Sequence, residues 1–235
     1  MALAAGPNVA SVASLMADAG RARMLFALLD GREASATSLA SVAGVSPQSA
    51  SAHLHRLVAG GLLEARSAGR QRLFRLASVR VAAAVESLAS IAPAAPVTSM
   101  SEHSTMERLR EARSCYDHLA GRLGVGITDA LLAKHAIALR LETFRLTRRG
   151  ERFFSRLGID IDAVCAQRRA ASRACMDWTE RRYHLAGGIG AALLHRVLDE
   201  GWLKRSATDR SLRVTATGRT ALPRVFGVRL ADETA

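Results

Sequence analysis

Apolar residues recur mostly three and four positions apart along this chain, a spacing that predicts helices, and short alternating stretches interrupt them. The first rhythm is Val9, Val12, Leu15 and Met16, an amphipathic helix. A second runs through Leu39, Ala40 and Ala43 and stops at Gly44, the residue type that takes a left-handed conformation most cheaply. Val45 follows as the buried pivot of a turn. Ser46 caps the next helix, and Pro47 occupies its first position, where a missing N–H does no harm. Ala50, Leu54 and Leu57 form that helix's inward stripe. Glu64 to Leu76 then reads as a hairpin turning around Gly69, anchored by Leu73, Phe74 and Leu76. A further helix, Val79 to Ile91, carries Val81, Val85 and Leu88 on one face.

Pro93 and Pro96, set among small residues, break the periodicity and mark a linker over 93–100. The region beyond it, 101–230, repeats itself. Arg113-Ser-Cys115-Tyr-Asp117 recurs as Arg173-Ala-Cys175-Met-Asp177, and His118-Leu-Ala-Gly121 recurs as His184-Leu-Ala-Gly187 after an insertion. Phe144-Arg-Leu-Thr147-Arg-Arg-Gly150 matches Leu212-Arg-Val-Thr215-Ala-Thr-Gly218. Three matches in one order indicate an internal duplication, with copies at about 101–160 and 161–230. Each copy is expected to hold a long helix, a second helix, a short hairpin and a closing helix capped by its threonine. The stretch Val197 to Arg205, followed by Arg213-Val-Thr215, also resembles a helix end and wing. The expected fold class is therefore mainly α with small β-hairpin wings. A winged helix-turn-helix over 8–92 would serve DNA binding and dimerisation, and a duplicated helical domain would follow it, built from two helix-plus-hairpin repeats that bind an effector or stabilise a dimer.

The outward face of the second helix of the turn gives this pattern a chemical meaning. Gln48, Ser49, Ser51, Ala52 and His55 are short or polar groups able to approach base edges in a major groove, with Ser46 and Pro47 at the helix start. The hairpin adds Arg66, Arg70, Arg72 and Arg75, guanidinium groups suited to phosphate or the minor groove, with the amide of Gln71 at its tip. An ordinary helical hairpin with a solvated face lacks such a finger. Read at Leu39, Ala40, Gly44, Val45, Ser46, Ser51, His53, Leu54, Leu57, Gly61, Leu62, Leu63, Gly69, Arg70, Phe74 and Leu76, residues 20–92 resemble the winged helix-turn-helix of ArsR/SmtB-type bacterial repressors. The resemblance implies a homodimer on a palindromic double-stranded DNA operator, with the first helix in the dimer interface and an effector that changes affinity. It covers the first two-fifths of the chain. His53 is a position of the family pattern, expected to support the recognition helix from its side.

Composition narrows the partners. The formal net charge is +12, and of 33 basic residues two are lysine. Such a balance favours an anionic partner, although an arginine-rich proteome raises the baseline. No apolar run reaches transmembrane length, and Met1 to Ala19 lacks a basic start and is interrupted by Asn8 and Asp18, so neither a membrane nor a secretory signal is expected. Three cysteines without an export signal suggest reduced thiols in the cytoplasm.

The duplicated Arg-x-Cys-x-Asp element is the candidate for special chemistry. If helical, it would put Cys115 and His118 on one face, and Asp177, Glu180 and His184 on another. Cys115, Asp117, His118, Cys175, Asp177, Glu180 and His184 offer the thiolate, imidazole and carboxylate ligands of zinc or a similar divalent metal, should the two copies pack together. The blander reading makes the cysteines small buried side chains, with Asp177–Arg181 and Arg113–Asp117 as local ion pairs and an organic ligand, or none, as the effector. Trp178, Trp202, Tyr116 and Tyr183 are core or pocket aromatics. The metal sites familiar in the resembled family are missing: Ser35 to Ala43 holds no cysteine, and Val79 to Ile91 holds no histidine and one acid, Glu86. No phosphate loop, nucleophile elbow or metalloprotease helix suggests an enzyme. Three readings stay open: a repressor with an effector in 101–230, a metal or thiol (redox) sensor, and an effector-free architectural DNA binder.

Overall fold

The computed structural model describes residues 6–93 and 96–230, so parts of the Met1 to Ala19 stretch and of the 93–100 linker lie outside the described residues. Two compact units divide the chain, Met1–Val85 and Glu86–Ala235.

The first unit runs α1 (Val9–Met16), α2 (Ala19–Ala27), β1 (Ala34–Ser35), α3 (Ala36–Ala43), α4 (Pro47–Ala59), β2 (Leu63–Ala68), β3 (Gln71–Leu76) and the start of α5 (Val79–Ile91). Its helix boundaries follow from local chemistry. Ser35 accepts from the Ser38 N–H to start α3, and Gly44 ends it at φ 67°. Ser46 accepts from the Ser49 N–H to start α4, with Pro47 just inside. Leu39, Ala40, Ala43, Ala50, Leu54 and Leu57 pack inward with Met24, Leu25, Leu28 and Phe74. Val45 is half-buried, not a fully buried pivot. Strands β2 and β3 pair antiparallel from Leu63↔Leu76 to Ala68↔Gln71, and β1 adds to β3. Helix, turn, helix and wing thus appear in the expected order.

In α5 the buried face is Ala82, Val85 and Glu86, while Leu88 is exposed. The stripe expected at Val81, Val85 and Leu88 is therefore rotated, and it carries a carboxylate inward.

The second unit opens with α6 (Met100–Glu111) and then runs through one element order twice. One copy is β4 (Arg113–Cys115), β5 (His118–Ala120), α7 (Gly121–Ala133), β6 (Ile137–Arg140), β7 (Thr143–Leu146) and α8 (Arg148–Arg156). After α9 (Ile161–Cys165) the other copy is β8 (Arg173–Met176), β9 (Tyr183–Ala186), α10 (Gly187–Asp199), β10 (Leu203–Arg205), β11 (Leu212–Val214) and α11 (Ala216–Phe226). The copy order is hairpin, helix, hairpin, helix. This corrects the expected pair of leading helices: the Arg-x-Cys-x-Asp element is a hairpin in both copies. Its strands are short and β4 is buried at every position, so no alternation betrays it. The closing helices do start at Thr147 and Thr215, each accepting from the glycine N–H three residues on.

The copies exchange partners. Strand β9 lies against α7 and β5 against α10, while β7 borders β8. The Thr128 hydroxyl in α7 donates to the Gly124 carbonyl at 2.8 Å and accepts the Leu185 N–H at 2.9 Å, tying one copy's helix to the other's strand. On the far side the Leu212 N–H donates to the Ala112 carbonyl at 2.8 Å, and the Ser114 N–H to the Arg210 carbonyl at 3.0 Å. Gly121 and Gly187 open the long helices at φ 80° and 84°. A Cβ at Gly121 would lie 2.6 Å from the Arg110 carbonyl oxygen, and one at Gly187 would lie 2.8 Å from the Ser172 Cα, so no other residue type fits without movement. Around this exchange Ile127, Leu131, Phe144, Phe154, Ile189, Leu194, Trp202 and Phe226 form one core. Among the described residues no helix is long and apolar enough to cross a membrane.

Candidate nucleic-acid interface and buried cysteine–histidine cluster

The outer face of α4 is open. Gln48, Ser49, Ser51, Ala52 and His55 are exposed, as are Ser46 and Pro47 at the helix start. The Ser46 hydroxyl donates to the Ser49 hydroxyl at 3.0 Å, which orders the first turn. From the inner side, half-buried His53 places Nε2 3.8 Å from an Asp18 oxygen. Arg21, itself buried, donates to the Leu15 and Ser14 carbonyls at 2.6 and 2.9 Å and approaches His53 Nδ1 at 3.4 Å. Arg21 thus closes the end of α1 and braces α4, a role that no local pattern announces.

On the wing the arginines differ. Arg70, Gln71 and Arg72 are exposed around Gly69 at φ 60°, and the Arg72 guanidinium lies 5.6 Å from the centre of the Phe74 ring. Arg66 is instead held by Glu33 in a two-point contact, with its Nε 2.7 and 2.9 Å from the two carboxylate oxygens. Arg75 pairs with Glu64 at 2.7 Å. Both are exposed ion pairs, screened by solvent.

In the second unit Cys115, His118, Cys175 and His184 come together, all buried, with their ligand atoms within 4.8 Å of one another. The two sulfurs are 4.0 Å apart and the two Nε2 atoms 3.1 Å apart. Each copy supplies one cysteine from its first strand and one histidine from its second, and the partner exchange described above makes the four converge. The rings of His118 and His184 stack with centroids 5.0 Å apart.

Asp117 and Asp177 do not join the four; each stands behind a histidine. An Asp117 oxygen is 3.2 Å from His118 Nδ1, and an Asp177 oxygen is 3.4 Å from His184 Nδ1. Asp117 is held by Arg169, and Asp177 by the buried Arg113 at 2.8 Å. The expected local pairs Arg113–Asp117 and Asp177–Arg181 therefore do not form, because the hairpins trade cations between copies. Arg113 also lies 4.6 Å from the Trp178 ring centre and donates to Thr179 Oγ1 at 3.1 Å. Glu180 is outside the cluster, paired with Arg110 at 3.0 Å. It shares no helical face with His184, since Glu180 lies in the loop 177–182 and His184 on β9.

Glu86 is the group that the sequence reading left out. Buried at the cluster, it accepts a short hydrogen bond from Cys115 Sγ, and its other oxygen is 3.5 Å from Cys175 Sγ. As a lone acid on a helix it resembles any solvated residue; the neighbouring buried Ala82 and Val85 were the available signal. Burial, followed by the neighbouring Cys175, pushes the Glu86 carboxyl up to about 7.

The other groups respond in kind. Burial raises Cys115 well above the usual thiol value. The hydrogen bond from Cys115 and the two imidazoles hold Cys175 well below it despite burial. Burial lowers His184. His118 is pulled down by burial, yet Asp117, Cys175 and Glu86 lift it to about 9. Burial likewise opposes the lowering of Asp117, which His118 and Arg169 bring to about 2, and that of Asp177, which Arg113 and His184 depress strongly. The geometry therefore suits a thiolate beside a protonated imidazole, or a cation bound in place of those protons.

Comparison with known proteins decides the family. The family described as "Helix-turn-helix domain" matches residues 16–66. The HTH-type transcriptional regulator YdfF of Bacillus subtilis (strain 168) is 40% identical over 224 residues, 95% of this chain and 99% of that protein. The chain belongs to the HTH-type transcriptional regulators. Among solved structures, the transcriptional repressor BigR from Xylella fastidiosa is 26% identical over 37% of the regulator and 88% of its own chain, with a TM-score of 0.34. The cadmium metal-sensor CmtR from Mycobacterium tuberculosis is 31% identical over 39% of the regulator and 99% of its own chain, with a TM-score of 0.31. The first unit of the regulator carries the winged helix-turn-helix that the ArsR/SmtB resemblance implies, and matches to the relative extend through the duplicated second unit as well.

Proposed function

We propose that the regulator acts in the cytoplasm as a homodimeric repressor on a palindromic double-stranded DNA operator, without catalytic activity, and that an effector held in the second unit sets its operator affinity. The observation that carries the DNA-binding part is the open face of α4, where Gln48, Ser49, Ser51, Ala52 and His55 are exposed beside an arginine-tipped wing. Side chains of that size reach base edges in a major groove, and Arg66, Arg70, Gln71 and Arg72 supply phosphate or minor-groove contacts. Dimerisation is supported by α1, which buries none of its residues and leaves Val9 and Val12 exposed. A second copy of the chain covers such a face and sets two recognition helices about one DNA turn apart.

Selection of binding sites from a random duplex pool tests this reading. The expected product is an inverted repeat bound by two chains. Gln48→Ala with Ser49→Ala should change the preferred half-site bases while leaving non-specific affinity near its original value. An unchanged preference would remove α4 as the reader, and a single-chain complex on an asymmetric site would remove the dimer.

A further inference from the structure

We infer that the second unit binds one divalent transition-metal ion of the zinc type, held tetrahedrally by Cys115 Sγ, His118 Nε2, Cys175 Sγ and His184 Nε2. The inference deepens the proposal of an effector in this unit and rests on it only for the regulatory consequence.

Three observations carry the site. First, the donor set suits the ion, and its sulfur–sulfur and nitrogen–nitrogen spacings fit, while the widest separation among the four, up to 4.8 Å, would close on binding. Zinc bonds of about 2.3 Å to sulfur and about 2.0–2.1 Å to nitrogen place tetrahedral sulfurs about 3.8 Å apart and nitrogens about 3.3 Å apart. The sulfurs here are separated by 4.0 Å and the nitrogens by 3.1 Å. Two soft and two borderline ligands in that arrangement select zinc and its neighbours over calcium or magnesium, which prefer oxygen.

Second, the carboxylates behind the histidines orient them as ligands. Asp117 lies 3.2 Å from His118 Nδ1 and Asp177 lies 3.4 Å from His184 Nδ1, the second contact without hydrogen-bond geometry, while the two Nε2 atoms face one another across 3.1 Å. Two lone pairs at that distance repel unless a proton or a cation lies between them. Carboxylate–histidine–metal relays of this form raise ligand basicity and fix the ring. Third, the site is closed. All four ligands are buried and supplied by protein, the form of zinc centres that organise structure and not of those that hold substrate.

The ion would enter by exchange: both sulfurs bind as thiolates and both imidazoles as neutral rings, so the protons these groups carry leave to solvent as M²⁺ enters, and no electron moves. The product has two thiolates and two neutral imidazoles around a dication and is neutral overall. Because each copy of the duplication supplies one sulfur and one nitrogen, the ion joins the two copies. Glu86 has no counterpart in the duplication. It contacts both sulfurs and lies in α5, the helix within which the two units meet along the chain. Thiolates bound to an ion no longer offer Glu86 the same hydrogen bond, so loading alters what this helix contacts.

Cobalt(II) titration of the full-length, chelator-stripped protein tests the site without a variant. The expected result is one ion per chain, with intense d–d absorption of four-coordinate cobalt, a sulfur-to-metal charge-transfer band, and displacement by zinc. A weak octahedral spectrum, or no saturable binding, overturns the site. Cys175→Ser and His184→Gln should each abolish the spectrum; circular dichroism shows whether the variant folds, and the wild-type titration stands if it does not. Mild oxidation supplies the competing outcome: if the sulfurs close from 4.0 Å to a disulfide in the zinc-loaded protein as readily as in the stripped one, the ion is not on them. Operator affinity is measured separately on the same samples. A change on the order of tenfold on loading supports control by this ion. A loaded site with unchanged operator affinity retires the regulatory role and leaves the site standing, whereas failure to load with operator binding intact retires the site alone.

Discussion

Arg113 has no exposed surface, and its guanidinium lies 2.8 Å from Asp177, which is equally buried. Removing one member of such a pair leaves the other charge in a low-dielectric interior, and the usual cost is about 3–5 kcal/mol. Asp177 has further donors in the Gly121, Thr179 and Glu180 N–H groups, but these are dipoles and do not cancel its charge. Arg113→Ala should therefore lower the unfolding free energy of the second unit, measured by urea denaturation, by an amount within that range. A loss below about 1 kcal/mol would mean that water reaches Asp177. At this scale the sequence was informative about residue type and poor about partners. The cysteines and histidines of the cluster stand out because they recur in the duplication. Glu86 and the Arg113–Asp177 and Arg169–Asp117 pairs do not, because each depends on contacts far apart along the chain that no local spacing encodes.

Elements show the same division. The start and stop of α3 and α4 were legible because capping chemistry is local: Ser35, Gly44, Ser46 and Pro47 each act within one turn. The hairpins of the cluster differ from the expected helices because strands of three or four residues are too short to show a period of two, and β4 is buried at every position. Thr147 and Thr215 are the expected caps, and each has a second task. The Thr147 hydroxyl donates to the His135 carbonyl at 2.7 Å and the Thr215 hydroxyl to the Gly201 carbonyl at 2.6 Å, so each fastens its closing helix to the end of the preceding long one. Thr147→Ala and Thr215→Ala should each cost about 1–2 kcal/mol, as cap losses do, with near-equal values in the two copies. Clearly unequal losses in equilibrium unfolding would show that the copies no longer share this joint. On the wing, each phosphate contact contributes about 0.9 to the salt slope of DNA binding. Arg70→Ala with Arg72→Ala should therefore flatten that slope by about two. Arg66→Ala should flatten it by less than one, since Glu33 already neutralises that guanidinium. Equal effects from Arg66 and Arg70 would mean that Glu33 releases its partner on DNA.

At the scale of the whole molecule, the duplication gives the second unit a property that neither copy has alone. A single copy offers one sulfur and one nitrogen, too few to hold a closed ion; the exchanged strands bring the second pair within reach. Stabilisation by the ion must then appear in both copies together, and it should follow mass action, about 4 kcal/mol at a thousandfold excess over the dissociation constant. Both tryptophans and both tyrosines of the chain lie in this unit, at 178, 202, 116 and 183, so intrinsic fluorescence follows its unfolding without a contribution from the winged unit. Adding zinc to stripped protein should raise the fluorescence-detected unfolding midpoint, and a chelator should return it. Hydrogen exchange read by mass spectrometry resolves where the gain resides: slowed amides are expected in 113–120 and in 173–186 at the same zinc concentration. Protection confined to one of those segments would mean that one copy holds the metal with solvent or another group, and the bridging role assigned to the duplication would then be wrong even if zinc binds.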